Sequence, residues 1–292
     1  MTKIIWQSGK NDYRKFTLDV NKIDINRHEF TTELLDVETT NIDDVHTLFY
    51  DLLKIRQTKT VEVLYSGGMD SECVLRSCLL QKIPVRALTA RWMVKGYPVN
   101  THDLYYAEKF CRENDVEHKI VDLDVEKFFE NGDFIAYNKP YYIWQSHVAT
   151  HLRLFEQSTG FPVFGGEYSW PWNPEKIVSP PKLIFMCYDR FIKDKGIHGI
   201  GNMLGGSLDI EMTFIRNHLE VMKSKPNGFY SGDAANITTF KRDLFSHMKF
   251  GTMEPRMKNY GWELVDTNII NIHKYTDVLV EEYGFPLESV IK

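Results

Sequence analysis

The sequence predicts an α/β fold: a doubly wound parallel sheet, preceded by a small β-hairpin plus helix and followed by an irregular, partly helical C-terminal region. Between residues 61 and 166, short apolar runs alternate with amphipathic stretches of helical length, the pattern of a parallel sheet covered on both faces. The first of these runs passes directly into paired glycines and a helix start, as strand-to-helix turns in such sheets do. The alternation is missing on either side. The chain therefore divides into an extension over residues 1–58, a core over 59–180 and a substrate or lid region over 181–292.

Taken in order, KIIWQSGKNDYRKFTLDV reads as two strands about a turn at Gly9, Lys10, Asn11 and Asp12. NIDDVHTLFYDLLKIRQ follows, with Asn41 as cap and Val45, Leu48, Phe49, Leu52 and Leu53 at helical spacing. The alternating region then gives strand VEVLY, a helix from Ser71, strand VRALTA and helix DLYYAEKFCREN. Strand EHKIVDL, a short helix, the longer helix WQSHVATHLRLFEQ and strand FPVFG complete it. In the longer helix Trp144, Val148, Leu152 and Phe155 form the stripe expected to be buried. Beyond residue 167, DIEMTFIRNHLEVMK is helix-like. The segments SWPWNPEKIVSPP and KGIHGIGNMLGGS have the composition of substrate loops.

Ligands of open parallel sheets bind beyond the carboxyl ends of the strands. Those ends carry SGGMDS, ARW, DLD and GGEYSW. In YSGGMDS, a strand, a glycine turn and a helix N-terminus bring backbone N–H groups to one point, which suits an anion. The loop has no lysine, so it is not a Walker A loop. Ser66 and Ser71 flank Gly67 and Gly68, and Ser71 can also cap the helix. Asp70 would repel a bare phosphate. It makes sense if magnesium accompanies the phosphates, because magnesium binds through few carboxylates plus phosphate oxygens. Asp70 is thus the candidate metal ligand.

SGGMDS after the first strand resembles the pyrophosphate loop, SGGxDS, of the PP-loop (alpha-type) ATP pyrophosphatases, with their HUP or adenine nucleotide alpha hydrolase-like fold. Over residues 59 to 170 the order of elements is most similar to asparagine-synthetase-like members. The resemblance implies ATP and Mg2+ as cofactors. It implies that Ser66, Gly67, Gly68, Asp70 and Ser71 grip the β and γ phosphates while an acceptor oxygen takes the adenylyl group. It places adenine at Leu88, Thr89 and Ala90 with Arg91 beyond, and the second glycine loop at Gly165, Gly166 and Glu167. From FKRDLFSHMKFGTMEPRMKNYGWE it takes Lys258, then Arg256 and Lys249, to neutralise departing pyrophosphate. The acidic GEGADE pattern of those synthetases is not reproduced. No cysteine precedes Cys73, so a glutaminase half is not expected, and nitrogen would come as free ammonia, from a partner or as an amine.

Net charge is −5 and pI about 6.1, which excludes broad electrostatic capture of nucleic acid but leaves a local groove open. No window approaches the about 18 apolar residues of a membrane span, and a cytosolic chain is expected. Cys73, Cys78, Cys111 and Cys187 form no CxxC pair, so zinc knuckles and redox dithiols are not indicated. His147 and His151 have a zinc-like spacing without the HExxH glutamate and are expected to border the core or face the cleft. Asn100, His102 and Asp103 read either as a helix cap or as contacts to the acceptor. Trp170 and Trp172 stack a planar substrate or pack in the core. The expected enzyme is an AMP-forming ligase acting on a small-molecule acceptor and a nitrogen donor. Its alternatives are the same chemistry on a tRNA or DNA base, or ATP binding without turnover.

Overall fold

The computed structural model describes residues 3–8, 14–19, 30–31, 39–56, 59–141, 146–166, 168, 178–179, 183–223, 241–246, 248–249, 253–254, 261–262 and 265. Trp144, Glu167, Trp170, Trp172, Arg256 and Lys258 lie outside them. The N-terminal hairpin pairs β1 (Lys3–Ser8) with β2 (Arg14–Asp19), Lys3 opposite Asp19 and Ser8 opposite Arg14. Short β3 (Phe30–Thr31) pairs antiparallel with β9 (Val178–Ser179), a connection the sequence pattern does not signal.

Asn41 caps as expected, its side chain accepting the Asp43 N–H at 3.2 Å. The turn it caps is a 3-10 turn over Ile42–Asp44 that leads into α1 (Val45–Arg56). Val45, Phe49 and Leu53 are fully buried.

The main sheet is built around β4 (Val61–Leu64). On one side lie β5 (Val85–Val94) and then β7 (Glu117–Asp124), and on the other lies β8 (Phe161–Phe164), all parallel. Short β6 (Tyr97–Pro98) turns back antiparallel on the end of β5. The chain moves outward from β4 to β5 to β7, then returns to β8 across β4. The strand order therefore reverses between β4 and β8, which is the topological switch point of this α/β sheet. β5 runs six residues past Leu88, the last residue paired with β4.

Period-two alternation assigns the sheet to two cores. Val61, Val63 and Tyr65 join Phe49, Val74 and Phe214 in one. Leu88, Ala90 and Trp92 join Val148, Leu152 and Phe191 in the other. The covering helices are α2 (Met69–Leu80), α3 (Thr101–Glu113), α4 (Val125–Glu130), α5 (Asp133–Tyr141), α6 (Ser146–Gln157), α7 (Leu183–Asp194) and α8 (Leu208–Lys223).

Several expectations need correcting. The helix after the glycine turn starts at Met69, which draws Asp70 and Ser71 into its first turn. Two short helices stand where one was expected, because Asp124 caps α4 by accepting the Lys127 N–H at 3.0 Å and Gly132, at φ +78°, separates it from α5. Helix α7 was not anticipated. The glycine-rich stretch expected to be a substrate loop instead packs along β8: Ile200 N–H donates to the Pro162 carbonyl at 2.9 Å and Phe164 N–H to the Ile200 carbonyl at 2.9 Å. Its glycines permit that approach, since a Cβ on Gly199 would lie 2.5 Å from the Pro162 carbonyl oxygen. All four cysteines are free and buried. Among the described residues no helix is long and apolar enough to cross a membrane.

Candidate functional site

The candidate site lies at the switch point, where the turns after β4 and β8 meet. Tyr65 ends the buried part of the first strand, its N–H donating to the Leu88 carbonyl at 2.8 Å. Ser66 is exposed. Gly67 then turns at φ +74°, and a Cβ there would lie 2.5 Å from the Asp103 carbonyl oxygen of α3, so the position requires glycine on two counts. Gly68 is the N-cap of α2 and supplies no side-chain acceptor. The first intrahelical bond runs from Glu72 N–H to the Gly68 carbonyl at 3.0 Å. Ser71 does not cap the helix in this geometry: its hydroxyl donates back to the same Gly68 carbonyl at 3.1 Å. A helix start without a side-chain cap, at the carboxyl end of a strand, is suited to an anion.

The second turn touches the first. A Cβ on Gly165 would lie 2.9 Å from the backbone N and Cα of Ser71. Gly166 follows at φ +70°, where a Cβ would collide with the Asn202 side chain. The strip along β8 supports this turn from behind, with Met203 N–H donating to the Phe164 carbonyl at 2.9 Å and Leu204 N–H to the Gly165 carbonyl at 3.0 Å.

Lys241 brings a cation to the site. Its Nζ donates to the two Asp70 carboxylate oxygens at 3.0 and 2.8 Å, with the Lys241 side chain 3% exposed and that of Asp70 17%. The ammonium also bears on His218, whose pKa falls to about 3 chiefly through burial and secondarily through the Lys241 charge. His218 Nδ1 lies 2.8 Å from the Tyr168 hydroxyl, and Tyr168 stacks on Phe214. Lys249, by contrast, is exposed, pairs with Asp44 on the 3-10 turn and holds that carboxyl below the usual range.

The segment Leu88–Arg91 occupies the middle of β5, with its polar groups engaged by the protein. The Leu88 carbonyl takes Tyr65 N–H, and the Thr89 hydroxyl donates to the Tyr65 carbonyl at 2.7 Å. The Ala90 carbonyl accepts from Asn100 Nδ2 at 2.9 Å, and Arg91 pairs with Asp122. Asn100 is the N-cap residue of α3, yet its side chain bridges β5, since its Oδ1 also accepts the Trp92 N–H at 2.9 Å.

No family model matches the chain. A 79-residue stretch is 32% identical to 7-cyano-7-deazaguanine synthase 2 of Colwellia psychrerythraea, covering 27% of this chain and 34% of that protein. The chain thus spans about a third of the length of the curated relative it matches. Among solved structures, the NH3-dependent NAD synthetase of Campylobacter jejuni aligns over 74% of this chain and 97% of its own, at 16% identity and TM-score 0.33. An NMN synthetase from Francisella tularensis aligns over 74% and 100%, at 12% identity and TM-score 0.33. A predicted subunit of tRNA methyltransferase from Methanocaldococcus jannaschii aligns over 68% and 100%, at 20% and 0.31. The fold is read from the strand order of this chain itself.

The structure thus brings Ser66, Gly67, Gly68, Asp70 and Ser71 together with Gly165 and Gly166, and it adds Lys241. Lys241 opens a short helical turn whose Leu244 and Phe245 are fully buried, which carries the lysine inward. His147 and His151 are partly buried and border the core. Burial, and His151 beside it, lowers the His147 pKa to about 3, burial lowers that of His151 to about 4, and His151 Nδ1 lies 2.7 Å from the Tyr188 hydroxyl. Among the described residues no group of three or more His, Cys, Asp or Glu side chains could hold a metal ion. A lone carboxylate beside a helix N-terminus suited to an anion still fits magnesium, which keeps most of its shell as water and phosphate oxygen. A carboxylate oxygen has two lone pairs, so the single bond that each Asp70 oxygen accepts from Lys241 does not bar such an ion.

Proposed function

We propose that the chain is an ATP pyrophosphatase-type ligase. It transfers the adenylyl group of ATP to a carboxylate, amide or carbonyl oxygen of an acceptor, releases pyrophosphate, and lets ammonia or an amine displace AMP. The observation that carries this reading is the contact of Gly165 with Ser71 at the switch point. It joins two glycine turns over a helix N-terminus whose first turn carries a paired Asp70 and Lys241. The resemblance of SGGMDS to the pyrophosphate loop, and the stretch shared with a 7-cyano-7-deazaguanine synthase, support it further.

In this reading the α2 N-terminus and the Ser66–Gly68 backbone hold the β and γ phosphates. Lys241 offsets the charge that grows on pyrophosphate as the α-phosphate bond breaks, a contribution largest in the transition state. Asp70 would hold magnesium, which when bound would supply charge neutralisation there. Arg256 and Lys258 are proposed to add to that neutralisation. The segment carrying them is flanked by Glu254, which accepts from Tyr106 of α3 at 3.3 Å, and by Gly261, whose Cβ position is 2.3 Å from the Val99 carbonyl oxygen beside α3.

The test is to incubate the chain with magnesium, labelled ATP and an acceptor panel that includes small carboxylates and amides, tRNA and DNA. Release of AMP and pyrophosphate, dependent on one acceptor, is the expected result. Release of ADP and phosphate would exclude the proposal.

A further inference from the structure

Thr89 faces the turn as a hydrogen-bonding side chain rather than as a wall for a base. Its side chain is fully buried, and its hydroxyl has one proton, which goes to the Tyr65 carbonyl at 2.7 Å. His118 Nε2 on β7 lies 2.8 Å from the same hydroxyl oxygen. With the hydroxyl proton already committed, that contact is a hydrogen bond only if His118 carries hydrogen on Nε2 and donates it. Burial lowers the His118 pKa, so the ring stays neutral at physiological pH. Three adjacent strands are thereby linked by a directed chain, from His118 of β7 through Thr89 of β5 to the Tyr65 carbonyl at the end of β4.

The peptide after Tyr65 begins the phosphate turn. Tyr65 N–H and Tyr65 C=O both bind β5, through the Leu88 carbonyl and the Thr89 hydroxyl. In a trans peptide the C=O and the following N–H point in opposite directions, and the described residues contain no cis bond. Holding the Tyr65 carbonyl toward β5 therefore turns the Ser66 N–H toward β8, the side on which the Gly165 turn meets α2. The Tyr65 ring is fixed as well, by its hydroxyl bond to Glu72 Oε2 at 3.1 Å and by packing on Phe110.

We propose that Thr89, with His118 behind it, is a positioning residue that aims the Ser66 N–H at the anion held between the two glycine turns. This assignment rests on the phosphate reading of that turn, and it gives Thr89 a role other than lining an adenine pocket.

The chain is titrated with magnesium pyrophosphate, and binding is followed by calorimetry and by the 15N–1H signal of Ser66. In the wild type the Ser66 signal moves on binding. Thr89→Val keeps the shape but leaves the Tyr65 carbonyl without its donor, and it weakens pyrophosphate about tenfold. Thr89→Ser restores most of that loss, because it returns the hydroxyl. His118→Phe, which removes only the second donor of the chain, costs about threefold. The Tyr65 carbonyl 13C shift, read without ligand, changes in Thr89→Val and returns in Thr89→Ser. Thr89→Val binding as the wild type does, or Thr89→Ser failing to recover, overturns the assignment and leaves the ATP reading intact. A wild-type chain that binds neither pyrophosphate nor ATP overturns both. If Thr89→Val fails to fold, the Thr89→Ser and His118→Phe affinities and the Ser66 signal decide the matter.

Discussion

Lys241 reaches across 171 positions of sequence to grip both carboxylate oxygens of Asp70, at 3.0 and 2.8 Å, in the first turn of α2. A withdrawn ion pair of this kind owes little to net Coulomb gain, but removing one member strands the other charge. Asp70→Ala is therefore expected to destabilise the fold by about 3 kcal/mol, besides abolishing ATP cleavage. Asp70→Leu combined with Lys241→Met should recover much of that stability without recovering activity. Urea denaturation of the three variants checks this, and an Asp70→Ala protein as stable as the wild type would refute it.

Lys241 and Lys249 are separated by their surroundings, one buried at Asp70 and the other exposed at Asp44. Lys241→Met should reduce kcat about 100-fold with a smaller change in ATP affinity, as expected of charge stabilisation that matters late in the reaction. Lys249→Ala should leave turnover unchanged. Steady-state kinetics on both variants decides it, and the reverse ranking would move the cationic role back to Lys249.

Gly67→Ala places a Cβ at φ +74° and against the Asp103 carbonyl oxygen. The left-handed strain alone costs about 1–2 kcal/mol, and the collision must also shift the turn away from α3. Loss of ATP binding with a lowered melting temperature is expected. Unchanged calorimetric ATP binding would mean that the turn does not hold the phosphates.

Glu62, fully buried on β4 at the far end of the sheet, carries a pH signature. Burial alone would raise its carboxyl, but hydrogen bonds from Ser158 and the Gly160 backbone, and the hydrogen-bonded charge of Arg86, outweigh it and hold the pKa below the usual carboxylate range. A depressed folded pKa contributes stability that is full above the ordinary glutamate range and is lost as pH falls through the folded value. The urea midpoint should therefore drop on acidification below about pH 4.5, more steeply in the wild type than in Glu62→Gln. Parallel curves would refute the assignment.

Much of the sheet was legible because its signals are local. VEVLY, VRALTA, EHKIVDL and FPVFG are apolar runs bounded by turns, and both glycine turns stand directly at strand ends. Contacts between distant segments were not legible. Nothing in KGIHGIGNMLGGS distinguishes a mobile substrate loop from a strip whose missing Cβ atoms allow it to lie against Pro162. Glycine serves both purposes, and only the position of β8 decides between them. Lys241 was hidden for the same reason, since a lysine in FKRDLF declares burial only once its carboxylate partner is known. Asn100 was placed correctly at a helix start, but its amide went to β5, where the strand overruns its neighbour and leaves backbone groups to satisfy.

The strip behind β8 has a consequence for the newly made protein. Gly165 and Gly166 leave the ribosome well before Ile200, Met203 and Leu204, whose backbone groups fix the turn in place. A chain still being synthesised past residue 166 holds the sequence of both turns but lacks the backbone groups that support the second from behind, and it lacks Lys241 for longer still. If the two turns hold ATP as proposed, nucleotide capture comes late in the making of this fold. On that reading a nascent chain, or one clipped before residue 199, carries the full SGGMDS signature and binds no ATP.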